Sequence, residues 1–141
     1  MSTVFQLVST CLYVFVGIIS LVMARKSLRA YAFLSFHEAA AGQPWDTIGN
    51  GLRAVIITLL RLTGLGFLVA GLGLLVAAVA NNIHGGLGVT LAPAALSLLF
   101  CLGLTVFNRR LQTRTGAPTP WRGSLYAAAA VAVALVLSIA R

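Results

Sequence analysis

Acidic residues are nearly absent from this chain: Glu38 and Asp46 are the only two in 141 residues. Charged residues of either sign make up 9%, against about 25% in ordinary soluble domains. So short and so weakly charged a chain could not cover its apolar surface in water, and it calls for lipid as solvent. The shortage of acids also excludes chemistry. A proton relay, or a small antiporter of the four-helix multidrug type, needs a carboxylate inside a membrane span. Both acids lie between apolar runs instead. Cysteine is scarce too. Cys11 and Cys101 fall in different apolar runs, nearer opposite membrane faces, so a disulfide between them is geometrically unfavourable. They read as small buried hydrophobes. No His/Cys/Asp/Glu spacing suits a metal, and no cofactor is implied.

What the chain has in abundance is hydrophobicity, at 60% of residues. About 20 apolar residues cross a bilayer as a helix. Four runs qualify, over about 4–24, 54–80, 87–107 and 124–140. They predict an all-α integral membrane domain, a four-transmembrane-helix bundle of two hairpins covering residues 1–141. The first run has no positive residues before it and no cleavage site after it, so it is expected to be a retained helix.

The net charge of +8 invites a nucleic-acid reading, which the placement of the charges rejects. Arg25, Lys26, Arg29 and Arg53 lie in the first connection, with Arg61 at its edge. Arg109, Arg110, Arg114 and Arg122 lie in the third. The second connection, Asn81 to Gly86, has neither Lys nor Arg. Positive residues mark cytoplasmic loops, so loops 25–53 and 108–123 are expected in the cytoplasm and both termini outside. Arg141 dissents. The basic collar is expected to meet anionic headgroups.

Arg25 to Ala41 contains no Gly or Pro and reads as a helix that can continue the first span. Its aromatic residues beside cations suit the headgroup layer, as an amphipathic cytoplasmic helix between helices 1 and 2. Each hairpin carries a Pro-Trp pair before its second helix, Pro44-Trp45 and Pro120-Trp121. Chance or an ancient repeat would both produce that.

The second run carries small residues at helical spacing: Gly66, Ala70, Gly73 and Ala77. Such stripes let helices approach closely in lipid, within one bundle or between copies. Its Gly-x-Gly lacks the strand and polar turn of a nucleotide loop. Arg61 interrupts the run. With 19 uncharged residues after it, it can snorkel to the interface. It can also pair with Glu38 or Asp46, or touch a substrate or lipid headgroup. Arg53 and His37 complete this candidate set. His37 and Glu38, adjacent on a helix, point about 100° apart and form no joint site. His84 reads as a loop histidine.

The stretch Arg61-Leu-Thr-Gly64-Leu-Gly66-Phe67-Leu68-Val-Ala-Gly71 resembles the Arg-x-x-Gly…Phe-Leu-x-x-Gly helix of small bacterial four-helix membrane proteins of the DoxX-like type. In that family the motif usually lies in the first helix; here it lies in the second. The resemblance implies a bacterial inner-membrane setting.

Three functions stand open. The first is a non-catalytic accessory or structural component of a membrane complex, or a lipid-contacting protein. The second is an oligomeric transporter or channel with Arg61 near the pathway. The third is an enzyme on a lipid-soluble substrate, for which no catalytic set can be named. Membrane lipids and a homo-oligomer or larger complex are the expected partners, and a site is expected at the cytoplasmic side.

Overall fold

The computed structural model describes residues 2–83 and 87–140; His84 and Arg141 lie outside them. The described residues form five α-helices and no strand. They are α1 (Ser2–Leu28), α2 (Ser35–Ala41), α3 (Asn50–Asn82), α4 (Leu87–Thr115) and α5 (Trp121–Ile139), with a 3-10 turn at Trp45–Thr47. Four of them, α1, α3, α4 and α5, are long and apolar enough to cross a membrane. They close a ring in which α1 packs on α3 and α5, and α4 packs on the same two helices. Sequential long helices run antiparallel.

All four long helices are longer than the apolar runs that predicted them. At about 1.5 Å per residue, the 33 residues of α3 span well beyond a 30 Å hydrocarbon core. The excess lies at the end that carries Arg53, Arg109, Arg110 and Arg114. We call this the basic end and the other the neutral end. Gly116, at φ 72°, stops α4 in the left-handed conformation that other residues resist. Pro118 and Pro120 keep the chain from resuming the same helix.

The segment after α1 differs from the sequence expectation. The helix ends at Leu28, the chain turns at Arg29–Ala30, and only Ser35–Ala41 is helical again. Helix propensity favours continuity, but Tyr31, Phe33 and Phe36 are among the weaker helix formers. The turn brings Phe33 edge-on to Trp45, 4.9 Å between ring centres. Aromatic packing outweighs a few tenths of a kcal/mol of propensity.

The core is built from Tyr13 and Val16 of α1, Leu74, Ala77 and Ala78 of α3, Ala94 of α4, and Val131 and Ala134 of α5. Small residues dominate, so the helix axes lie close. On α3, glycines point two ways. A Cβ at Gly66 would lie 2.5 Å from Phe100, and one at Gly73 3.3 Å from Pro93, both on α4. A Cβ at Gly64 would meet Leu28 at 2.9 Å, and one at Gly71 would meet the Gly17 carbonyl at 3.0 Å, both on α1. Gly17 answers in kind: its own Cβ would lie 3.3 Å from the Gly71 carbonyl. The small-residue seam is therefore double, and Ala70 and Ala77 are buried between its halves.

Gly71→Leu is expected to force α1 and α3 apart, because the Gly17 carbonyl stands beside the Leu21 side chain in that space and cannot swing away. The expected loss is about 1–3 kcal/mol, read as a lowered thermal midpoint in detergent. Gly51→Ala, in open space on the first turn of α3, should leave the midpoint unchanged or raise it.

Candidate functional site

The segment between α1 and α3 folds into a knot around Trp45. The Trp45 backbone N–H donates to Glu38 Oε1 at 3.3 Å. Arg53, from the first turn of α3, donates from Nη2 to the Asp46 carbonyl at 2.7 Å and lays its guanidinium 5.6 Å from the Trp45 ring centre. His37 stacks on Phe36, 3.9 Å between centres, and lies 6.1 Å from Phe33. Burial pushes the His37 imidazole below its ordinary pKa, because desolvation disfavours the charged ring. Its Nδ1 is buried with no hydrogen-bond partner among the described residues.

Four of the five expected site residues, His37, Glu38, Asp46 and Arg53, thus share one corner. Arg61 does not join them. It is exposed two turns further along α3, with Leu65 and Leu72 exposed on its side of the helix. Glu38 and the Asp46 carbonyl are engaged by Trp45 and Arg53 instead.

The second hairpin builds a related corner. Trp121 opens α5 with Arg122 5.5 Å from its ring centre and Arg109, from α4, at 5.6 Å. Thr119 ties the corner to α4 by donating from Oγ1 to the Asn108 carbonyl at 2.8 Å. Each Pro-Trp pair therefore places an indole against arginine at the basic end.

Beside this second corner a crevice of about 370 Å³ enters between α1, α4 and α5. Asn108, Pro120 and Gly123 line its basic end, and Phe15, Val16 and Ala130 line its depth. A shallower groove of about 360 Å³ runs between α3 and α4, with Gly66, Ala70 and Gly73 in its wall.

The neutral end holds polar contacts that the sequence reading missed. Asn81 donates from Nδ2 to Ser9 Oγ at 2.8 Å and Thr10 Oγ1 at 3.0 Å. Gln6 donates from Nε2 to the Asn81 carbonyl at 2.9 Å. Asn82 reaches Thr10 Oγ1 at 3.0 Å. Tyr13 and Ser138 share a buried hydrogen bond of 3.2 Å between α1 and α5. The signal was present: Gln6, Ser9, Thr10 and Tyr13 follow i, i+3, i+4, i+7 spacing on an otherwise apolar helix. Most of the interhelical side-chain hydrogen bonds lie at the neutral end, because buried amides and hydroxyls must find partners away from water.

Among the described residues no group of three or more His, Cys, Asp or Glu could hold a metal ion. Both cysteines are free, Cys11 exposed and Cys101 buried. Comparison with protein-family models, curated proteins and solved structures finds no match.

Asn81→Leu should cost about 1–2 kcal/mol, the range for interhelical hydrogen bonds in lipid, by removing the Ser9 and Thr10 bonds together. A matching drop in thermal midpoint checks it. The His37 corner should respond to pH. Above the ordinary histidine value of 6.5 the ring is neutral whether the segment is docked or released. Below that value the released segment binds the proton more readily, so docking weakens as pH falls. Trp45 fluorescence in a Trp121→Phe background, followed from about pH 8 to about pH 5, should show the release; His37→Phe should flatten the curve.

Proposed function

We propose that this chain is a non-catalytic, lipid-contacting membrane bundle that serves as an accessory or structural component in a bacterial plasma membrane. One observation carries the reading: an apolar belt on every long helix ends in a cationic collar at one end only. Leu7, Val69, Leu99 and Val136, one from each long helix, are 64–68% exposed. Contiguous apolar surface on that scale marks a lipid or partner face. Arg25, Lys26, Arg29, Arg109, Arg110, Arg114 and Arg122 are exposed beyond it. Each cation near an anionic leaflet contributes about 1 kcal/mol. The resemblance to DoxX-like proteins supports the bacterial setting, and the charge asymmetry supports a cytoplasmic basic end with both termini outside.

A second reading is assembly of several copies into a small transporter or channel, with Arg61 near the pathway. The α3–α4 groove favours it, because Gly66 and Gly73 stay partly exposed there and Leu65, one turn from Arg61, forms part of its wall.

Single cysteines in a Cys11→Ser, Cys101→Ser background test the orientation. Ile83→Cys should react with an impermeant maleimide on intact spheroplasts, and Thr115→Cys only after lysis; the reverse pattern would overturn the topology. Phosphatidylglycerol vesicles should raise the thermal midpoint over phosphatidylcholine vesicles, an effect that salt reduces. Equal midpoints would count against headgroup engagement. A single mass in mild detergent equal to one chain would remove the oligomer reading.

A further inference from the structure

We infer that the crevice between α1, α4 and α5 binds one anionic phospholipid, with an acyl chain lying in the crevice and its phosphate held by Arg109 and Arg122. The inference rests on the lipid-contacting reading and assigns it a specific site.

Three observations converge on it. The crevice has the volume of a small-ligand site, within about 300–1,000 Å³, and an almost wholly apolar lining that includes Ile19, Met23 and Leu104. It opens to the side: Phe15 and Tyr126, both in its wall, are 62% and 70% exposed. A chain can therefore enter from the bilayer without crossing the protein. Its basic end adjoins the Trp121 corner, since Asn108 and Gly123 line the crevice next to Arg109 and Arg122 in sequence.

The charge at that end has no internal answer. Both acids belong to the first connection, where Glu38 accepts the Trp45 N–H. Arg109 and Arg122 rest on the Trp121 faces and make no ion pair among the described residues. The Trp121 indole gathers both guanidinium groups at one corner, an arrangement suited to phosphate oxygens. A neutral apolar ligand would leave those cations unused, and a soluble anion would leave the crevice empty. An anionic phospholipid satisfies both.

Gly123 supplies the test. Gly123 lines the crevice and a Cβ there meets nothing within 4 Å, so a larger side chain is expected to narrow the basic end of the crevice without displacing a neighbour. Gly88 on α4, likewise open, is the control. The purified chain would be mixed with equal amounts of phosphatidylglycerol and phosphatidylcholine of identical chains and weighed by native mass spectrometry in mild detergent. The wild type and Gly88→Leu should each retain one phosphatidylglycerol. Gly123→Leu should retain none. Arg109→Gln/Arg122→Gln should lose the preference for phosphatidylglycerol by about tenfold, or 1.4 kcal/mol. Equal retention of both lipids by the wild type, wild-type retention by Gly123→Leu, or a lipid-free dimer would overturn the assignment.

Should Gly123→Leu lose its helical circular dichroism, an unaltered crevice gives the decision. In a Trp45→Phe background, acyl-brominated phosphatidylglycerol should quench Trp121 more than acyl-brominated phosphatidylcholine at the same mole fraction; equal quenching overturns the site. A chain that phosphatidylglycerol stabilises but that retains none of it would sink the crevice and leave the broader reading standing. A chain showing neither effect would sink both.

Discussion

The close approach of α1 and α3 governs the rest of the bundle. Without a hydrophobic drive between helices in lipid, packing and polar bonds must hold them together. Gly17 and Gly71 bring the two backbones near enough that a Cβ on either would crowd the other's carbonyl. That contact sets the register in which Asn81 meets Ser9 and Thr10 at the neutral end and Leu28 meets Gly64 toward the basic end. The second face of α3, at Gly66 and Gly73, then receives α4. With α3 shared between two neighbours, α5 closes the ring through Tyr13–Ser138 and Thr105–Ser124.

The two ends of the bundle solve different problems. At the neutral end, amides and hydroxyls are tied between helices, where an unpaired polar group would be costly. At the basic end, helices overrun the apolar runs and their arginines rest on indoles. Arg53 on Trp45, and Arg109 with Arg122 on Trp121, keep the cations oriented with few internal partners. The packing differs as well. Glycines tighten the α1–α3 side over its whole length, whereas α1 and α5 enclose the crevice toward the basic end. Tight packing on one side and a gap on the other give the bundle two unlike faces.

Much of this was readable from residue order. The four apolar runs predicted the long helices, and the empty connection at Asn81–Asn82 predicted the uncharged end. The stripe Gly66, Ala70, Gly73 and Ala77 marked α3 as a packing helix. The reading missed that Gly64 and Gly71 form a second face, because a one-dimensional stripe does not say how many neighbours a helix has. The Gln6–Tyr13 polar stripe was hidden in residue order because these residues are neutral and lie within an apolar run, and only their partners on α3 and α5 set them apart. The reading carried a helix through Arg29–Leu34, where the Phe33–Trp45 contact decides otherwise. The candidate residues split for the same reason: Arg53 curls back to Trp45 and Asp46, while Arg61 stays on the outer side of α3.

The sequence by itself determined the number of long apolar helices, their fitness to cross a membrane and the end at which charge collects. Those follow from composition and run length, which are properties of segments taken singly. The tertiary structure alone decided which face of α3 meets which neighbour, that Trp121 sits between two arginines from different helices, and that a crevice remains beside it. Each of these depends on residues far apart in the chain being brought to one level of the bundle. That level is set by backbone approach at glycines, which residue order leaves open.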